Sequence, residues 1–213
     1  FRPNPAGAVH AFCHCLPGMW HQMAVHLSAA SCIDWAARQL GLPGPAEVFA
    51  LAGEADAGPE LFLPFLSGER TPHNDPHLRA AWLGMDNDTT PARLAAAVLE
   101  GVAFAHADGL AALRDAGTRV ERLALIGGGS RSRHWGTIIA AALGVGIDYI
   151  EGGEVGPSLG AARLARMGVD GLGAAEACPR PKVVATVQPD AAEAARLAEK
   201  LARYRAATAL ART

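Results

Sequence analysis

An α/β fold with a partly parallel sheet is predicted for this chain of 213 residues. Short apolar runs alternate with helical patterns through its second half, and glycine-rich turns separate the two kinds of element. Half of the residues are apolar and 19% are charged, a composition that supports a buried core and excludes intrinsic disorder. We interpret residues 1–213 as one domain, with a core over about residues 9–170 and a C-terminal strand and helix over 180–213.

The chain begins with an antiparallel pair of predicted strands, Val9–His14 and Trp20–Leu27, joined at a Pro-Gly turn. Ser28 is in the right place to cap a helix that ends near Leu40. A second short helix is predicted over Ala46–Ala55.

A long helix is the clearest element of the middle of the chain. Before it, Leu61–Leu66 is predicted as a strand, and residues 67–89 are predicted as a long polar loop. Thr90 and Pro91 are the residue types that favour the N-cap and the first helical position, so the helix is predicted to run from there to Arg114.

The rest of the chain alternates strand and helix, which is the pattern that indicates the partly parallel sheet. The predicted elements are a buried strand Arg122–Ile126, a helix Ser132–Leu143, a strand Ile147–Ile150, a helix Pro157–Met167, a strand Val183–Val187 and a helix over residues 189–212.

Charge, hydropathy and cysteines exclude several classes of protein. The net charge of −2 argues against a nucleic-acid binder. The longest uncharged apolar stretch, Ile138–Ile147, is about half of what a membrane span needs, so no membrane partner is predicted. Cys13 and Cys15 have no zinc-site spacing and lie in a strand-like segment, so they are predicted to be buried thiols in a reducing cytosol. No metal ligands are predicted.

The strongest signal for a ligand is the glycine run Gly127-Gly128-Gly129-Ser130 between a predicted strand and a predicted helix. Glycines let a ligand approach the backbone closely, and the start of a helix offers free N–H groups. A tight turn is the structural alternative, although one glycine would serve for that.

Three kinds of nucleotide site compete for this glycine run. A P-loop is excluded, because no Lys-Ser or Lys-Thr pair follows the last glycine. A dinucleotide fingerprint would use Gly127, Gly129 and Ser132, with its third glycine missing and Asp148 or Glu151 as the ribose-binding acid. An ATP site of the sugar-kinase or actin type is the third alternative, in which the glycines border the adenosine.

Other residues are weaker candidates for function. The polar segment Leu66–Pro76 belongs to a loop that is long for a structureless connection, which favours a function. Glu100 is an acid within the apolar stretch of the long helix, with no evident partner. Four histidines fall in the first two predicted strands, where structural roles are more common than catalytic ones: His10, His14, His21 and His26.

Five segments taken together resemble the C-terminal half of the FGGY family of carbohydrate kinases, and within that family the members that act on xylulose. The matching segments are Phe12–His21, Leu27–Trp35, Leu66–Pro76, Leu125–Ser132 and Gly156–Arg163. They follow the order of the family and cover about residues 9–170, which makes them more specific than any single glycine motif.

The resemblance implies an actin-like, ribonuclease-H-like ATPase fold with two lobes and ATP between them, this chain being the C-terminal, nucleotide-binding lobe. It implies that the glycines border the adenosine, that an arginine lies beside it, and that a helix near Ser28 lines the ATP. The implied nucleotide-binding positions are Gly127, Gly128, Gly129, Ser130, Arg131, Arg133, Ala30 and Asp34.

The resemblance also implies the reaction, which is transfer of the γ-phosphate of ATP to D-xylulose with Mg²⁺ as the metal ion. Gluconate, ribulose and glycerol are the alternative substrates within the family. The family's catalytic aspartate and phosphate loops match no residue here and belong to sequence outside this chain, chiefly the N-terminal lobe, so no catalytic residue is assigned. The chain alone is therefore expected to be inactive. Its expected partners are ATP or ADP, a pentulose and its own N-terminal lobe. The parent enzyme is expected to be cytoplasmic, and a homodimer is compatible with the sequence.

Overall fold

The computed structural model describes residues 1–56 and 58–211, which form an α/β structure around one long helix. In chain order the elements are β1 His10–Cys13, β2 Trp20–Met23, α1 Ser31–Gln39, α2 Pro45–Gly53, β3 Leu61–Leu63, β4 Ala81–Leu83, α3 Pro91–Asp115, β5 Arg122–Leu125, α4 Arg133–Leu143, β6 Gly146–Ile150, α5 Pro157–Asp170, α6 Ala174–Ala177, β7 Val183–Val187 and α7 Ala191–Leu210.

The strands of the described residues form three small sheets. β1 pairs with β2, and β3 pairs with β4, both in antiparallel register. The third sheet has the order β5-β6-β7, in which β5 and β6 are parallel and β7 is antiparallel to β6. The prediction of a partly parallel sheet is confirmed by this third sheet.

Helix α3 is the centre of the core. Its start is as predicted, because the hydroxyl of Thr90 accepts a hydrogen bond from the backbone N–H of Arg93 at 3.3 Å and Pro91 is the first helical residue. α2, α4 and β3 pack against it, and side chains such as Val98 and Val102 are fully buried. By length and composition α3 could cross a membrane, but most of its apolar stretch is buried inside the protein.

The C-terminal helix α7 is fastened to α3 by apolar contacts and by ion pairs. Leu197 and Tyr204 are buried in the core. Glu100, considered above as an isolated acid, pairs with Arg196 at 2.7 Å and with Lys200. Because two cations from α7 hold its carboxylate, Glu100 joins α3 to α7, and the contacts indicate a structural role.

The structure corrects three of the predicted elements. Helix α1 begins at Ser31, so Ser28 is not its cap; a turn of residues 28–30 precedes the helix, and its N-cap makes no side-chain hydrogen bond. The predicted polar loop contains β4, whose three residues are too few for a periodic pattern. The strand at Arg122–Leu125 is not buried: its residues alternate between exposed and half-buried, because only one face of this edge strand is covered.

The cysteines of the first hairpin also differ from expectation, whereas His26 makes a structural contact of the kind expected. Cys13 and Cys15 are exposed, because they lie at the end of a two-stranded sheet that little else covers. Cys32 is buried instead, and its burial, with a contribution from nearby Glu69, raises its thiol pKa to about 12. His26 lies beyond β2 and faces the Glu69 carboxylate at 3.4 Å.

The polar segment Leu66–Pro76 is anchored to the chain just after β2. The buried carboxylate of Glu69 accepts hydrogen bonds from the backbone N–H groups of Leu27 at 2.9 Å and Arg70 at 2.7 Å. The hydroxyl of Thr71 donates to the carbonyl of Ala8 and accepts from the N–H of Val25. These contacts give Glu69 and Thr71 structural roles in this loop.

Candidate functional site

The glycine run forms a tight turn between β5 and α4. Gly127 has a φ of 81°, in the left-handed region that favours glycine, and its N–H donates to the carbonyl of Gly153 at 2.8 Å. The Ser130 hydroxyl closes the turn by donating to the Gly127 carbonyl at 2.7 Å. A second glycine-rich turn, around Gly153, therefore stabilises the first one through this backbone hydrogen bond.

Two of the three glycines are explained by the fold. Gly127 is required by its backbone conformation. A Cβ atom at Gly129 would lie 2.5 Å from the Trp135 ring, so that position is required by packing. Gly128 has neither constraint, since no atom lies within 4 Å of the place where its Cβ would be. The open space beside Gly128 is part of a cavity.

This cavity, of about 580 Å³, lies between α1, α2, the glycine turn and the start of α4. Its walls are mainly apolar, and it is lined by Ala30, Ile33, Asp34, Pro45, Ala46, Phe49, Gly128, Gly129, Arg131, Ser132 and Trp135. We call it the glycine-turn cavity. Its mainly apolar walls suit an apolar ring, with Asp34 and Arg131 as the charged groups in its lining.

Trp135 gives the cavity a rigid wall. Its indole is 3% exposed, and Nε1 donates to the carbonyl of Leu99 at 3.1 Å. The Phe49 ring of α2 lies 5.6 Å away, centroid to centroid. The buried indole of Trp135 thus supports the half-buried ring of Phe49, which offers the larger aromatic surface to a ligand.

Five of the eight predicted nucleotide-binding residues meet at the glycine-turn cavity: Ala30, Asp34, Gly128, Gly129 and Arg131. Ser130 and Arg133 line a neighbouring cavity of about 490 Å³, which Arg131 also lines. Arg133 lies over the ring of Tyr149, with 3.8 Å between its guanidinium carbon and the ring centroid. Gly127 shapes the turn and lines neither cavity. Nucleotide binding by these residues stays a prediction.

The apolar walls of the cavity were not predicted. Ile33, Phe49 and Trp135 look in the sequence like ordinary core residues of amphipathic helices, and Phe49 lies on α2, a helix for which no ligand role was suspected. The only available signal was that Trp135 follows Ser132 by three residues, which places it in the first turn of α4 next to the glycines.

Asp148, one of the two acids proposed for a dinucleotide site, is engaged elsewhere. Asp148 lies within β6, where it forms a salt bridge with Arg122 and accepts a hydrogen bond from Thr186 at 2.6 Å. These contacts hold the pKa of the Asp148 carboxyl below its usual value. Because both partners lie on neighbouring strands, Asp148 is not free to bind a ribose beside the glycines.

Metal ligands are not grouped in the part of the chain that the structure describes. No three His, Cys, Asp or Glu side chains come together there in a way that could hold a metal ion. Asp34 is the one carboxylate in the lining of the glycine-turn cavity. The residues present therefore do not form a magnesium site, since Mg²⁺ prefers several oxygen ligands in an octahedral arrangement.

Comparison with known proteins identifies the type of domain. The family model described as "FGGY family of carbohydrate kinases, C-terminal domain" matches residues 2–169. The chain is 50% identical over 169 residues to the xylulose kinase of Escherichia coli (strain K12), a match that covers 78% of this chain and 35% of that protein. The chain thus spans about a third of the length of curated relatives such as this one.

Two solved structures resemble the model over nearly its whole length. The crystal structure of a xyloylose kinase from Brucella ovis has a TM-score of 0.88 and 43% identity, covering 97% of this chain and 43% of that chain. The xylulose kinase from Rhodospirillum rubrum has a TM-score of 0.80 and 28% identity, covering 95% of this chain and 42% of that chain. These likenesses confirm the predicted actin-like ATPase fold.

Proposed function

The chain belongs to the FGGY family of carbohydrate kinases, and we propose that it is the nucleotide-binding C-terminal part of a kinase that phosphorylates D-xylulose. In that reaction a hydroxyl oxygen of the sugar forms a bond to the γ-phosphorus of ATP. The bond between that phosphorus and the bridging oxygen of ADP breaks, and the hydroxyl proton passes to a base. The products are D-xylulose 5-phosphate and ADP.

The observation that carries the proposal is the meeting of separated segments at one cavity. Ala30 and Asp34 on one side, and Gly128 and Arg131 on the other, are about 100 residues apart in sequence yet line the same space. The family resemblance implies that all four positions border the nucleotide, and their meeting at one cavity supports a shared ligand.

Each part of the cavity has a proposed task. The half-buried ring of Phe49 binds the adenine by apolar contact, and the buried side chains of Trp135 and Ile33 support that wall from within the core. Gly128 lets the adenosine lie against the backbone, because a side chain there would fill the open space. Arg131 supplies positive charge where this cavity adjoins the neighbouring one, which Ser130 lines.

Catalysis requires groups that this chain does not supply in our proposal. Phosphoryl transfer depends on positioning and on charge stabilisation, and the resemblance assigns the catalytic aspartate and the phosphate loops to sequence outside these residues. Magnesium accompanies ATP in the proposed reaction and neutralises phosphate charge; none of the described residues is assigned to it. We propose a cytoplasmic two-lobe enzyme, with gluconate, ribulose or glycerol as the alternative substrates.

Calorimetric titration of the 213-residue chain with ADP and, separately, with NAD tests the nucleotide assignment. We expect ADP to bind more tightly, although weakly, because the phosphate contacts of the other lobe are missing. Tighter binding of NAD would contradict the proposal and favour the dinucleotide alternative.

A coupled assay of ADP release with ATP, Mg²⁺ and xylulose tests the division of labour between the lobes. The purified chain should give no turnover above a blank without protein. Sugar-dependent turnover by this chain alone would show that the catalytic base lies within it and would overturn that part of the proposal.

A further inference from the structure

Tyr149 holds the wall of the glycine-turn cavity from behind. It lies on β6, is 5% exposed, and donates a hydrogen bond from its hydroxyl to the backbone carbonyl of Ser132 at 3.2 Å. Gly136 makes room for it, since a Cβ atom there would lie 1.8 Å from the tyrosine oxygen. The phenol therefore occupies a space that α4 leaves open at its first turn.

Ser132 connects this hydrogen bond to the cavity. Its carbonyl also accepts from the N–H of Gly136 at 3.2 Å, and its hydroxyl accepts from the N–H of Trp135 at 3.2 Å. Ser132 and Trp135 both line the glycine-turn cavity, whereas Tyr149 lines the neighbouring one. One hydrogen bond from β6 thus fixes the residue that caps α4 and that sets the position of the indole wall.

Arg133 holds the same tyrosine from another side. Its guanidinium lies 3.8 Å from the centroid of the Tyr149 ring, a cation–π arrangement. Burial raises the pKa of the Tyr149 hydroxyl, an effect that the charge of Arg133 opposes. The hydroxyl is therefore protonated at neutral pH and available as a donor. Ser132 and Arg133, two consecutive residues at the start of α4, therefore both contact the side chain of Tyr149.

We propose that Tyr149 is a positioning residue for nucleotide binding, acting through Ser132 on the wall of the cavity without touching the ligand. The inference rests on the proposed function of the glycine-turn cavity. In this arrangement the hydroxyl of Tyr149 keeps the first turn of α4 in the conformation that the ligand needs. The ring of Tyr149 holds the guanidinium of Arg133 by the cation–π contact.

The test compares Tyr149→Phe with Tyr204→Phe, the same change at the other of the chain's two tyrosines. Tyr204 is buried on α7 against Phe104, away from the residues that line the cavity. Tyr149→Phe should weaken ADP binding about three- to tenfold, the range expected for one lost hydrogen bond, while Tyr204→Phe leaves the affinity unchanged. Both dissociation constants are measured by calorimetry on the full chain.

Amide hydrogen exchange without ligand provides a second, independent measurement. In Tyr149→Phe the N–H groups of Trp135 and Gly136 should exchange faster than in the wild type, because the residue that accepts their hydrogen bonds has lost its support. Affinity equal to wild type in Tyr149→Phe would overturn the inference. So would weaker binding with unchanged exchange, since Tyr149 would then act by direct contact.

The same experiment separates this inference from the proposed function. If the wild type itself binds no ADP, the nucleotide assignment fails and the inference falls with it. If the wild type binds ADP and Tyr149→Phe binds it equally well, only the positioning role is lost.

Discussion

Helix α3 and the β1–β2 hairpin carry similar large apolar side chains but bury them very differently. Phe104 on α3 is 1% exposed, whereas Phe12 and Trp20 on the hairpin are 44% and 49% exposed. Helices and strands cover α3 on several sides, while within the described residues the strands of the hairpin pair only with each other. The comparison shows that a side chain's apolar character predicts burial only where the chain provides another element to cover it.

Truncation of a phenylalanine in each region should show the largest contrast. Phe104→Ala should lower the free energy of unfolding by about 4 kcal/mol, because it leaves a cavity in the core. Phe12→Ala should change it by less than about 1 kcal/mol, since that ring already contacts solvent. Urea denaturation of both variants measures the difference, and equal losses would contradict the comparison.

Two helical glycines test the same difference in burial by addition of a methyl group instead of its removal. A Cβ atom at Gly101 of α3 would lie 2.2 Å from the carbonyl oxygen of Phe62, so Gly101→Ala should cost about 3 kcal/mol. At Gly168 of the exposed helix α5 nothing lies within 4 Å, and Gly168→Ala should stabilise by about 0.5–1 kcal/mol. Thermal melting of the two variants is the measurement; a stabilised Gly101→Ala would refute the close packing of α3 on β3.

A histidine on α3 makes the covered region sensitive to acid. Burial, with a smaller effect of neighbouring His26, lowers the pKa of His106 from 6.5 to about 4. The folded state therefore favours neutral His106, and its contribution to stability is present above pH 6.5 and lost as the pH falls toward 4. The loss between pH 8 and pH 5 should reach about 2 kcal/mol, from a folded pKa of about 4.

The variant His106→Gln isolates this contribution from that of the carboxylates. Urea denaturation at pH 8 and pH 5 should show a smaller loss of stability in the variant than in the wild type. An identical pH dependence in both proteins would mean that His106 titrates normally in the folded state.

The fold was predictable where a local sequence signal, such as a helix cap, is sufficient to determine the structure. Thr90 and Pro91 marked the start of α3 correctly because capping is a local interaction. Ser28 failed as a cap because α1 begins only at Ser31. The segment before it is held by Glu69, a residue distant in sequence, whose carboxylate accepts a hydrogen bond from the N–H of Leu27. Cys13 was predicted to be buried from its alternating pattern, but a pattern does not reveal whether a second layer covers that face.

The glycine turn and the charged residues of the candidate site were predictable from the sequence, whereas the apolar residues that line its walls were not. The glycine run and the family resemblance led to Gly128, Arg131 and Asp34, which do line one cavity. Phe49 and Trp135 have the spacing of core residues, and only the packing of α2 against α4 turns them toward that cavity. Which apolar residues face a ligand depends on how helices meet, and sequence periodicity does not record this.

The glycines extend the comparison to the site itself, because Gly129 is covered and Gly128 is open. A side chain at Gly129 would meet Trp135, so Gly129→Val should lower the melting temperature whatever the ligand. Gly128 faces open space, so Gly128→Val should fold normally. Gly128 is therefore the position at which binding can be tested without disturbing the fold.

Calorimetric titration of Gly128→Val with ADP tests most directly the claim that the glycine-turn cavity binds a nucleotide. The added side chain would fill the space proposed for the adenosine, so the affinity should fall at least about tenfold, or about 1.4 kcal/mol, with the melting temperature of the free protein unchanged. A variant that melts like the wild type and binds ADP as tightly as the wild type would contradict the claim.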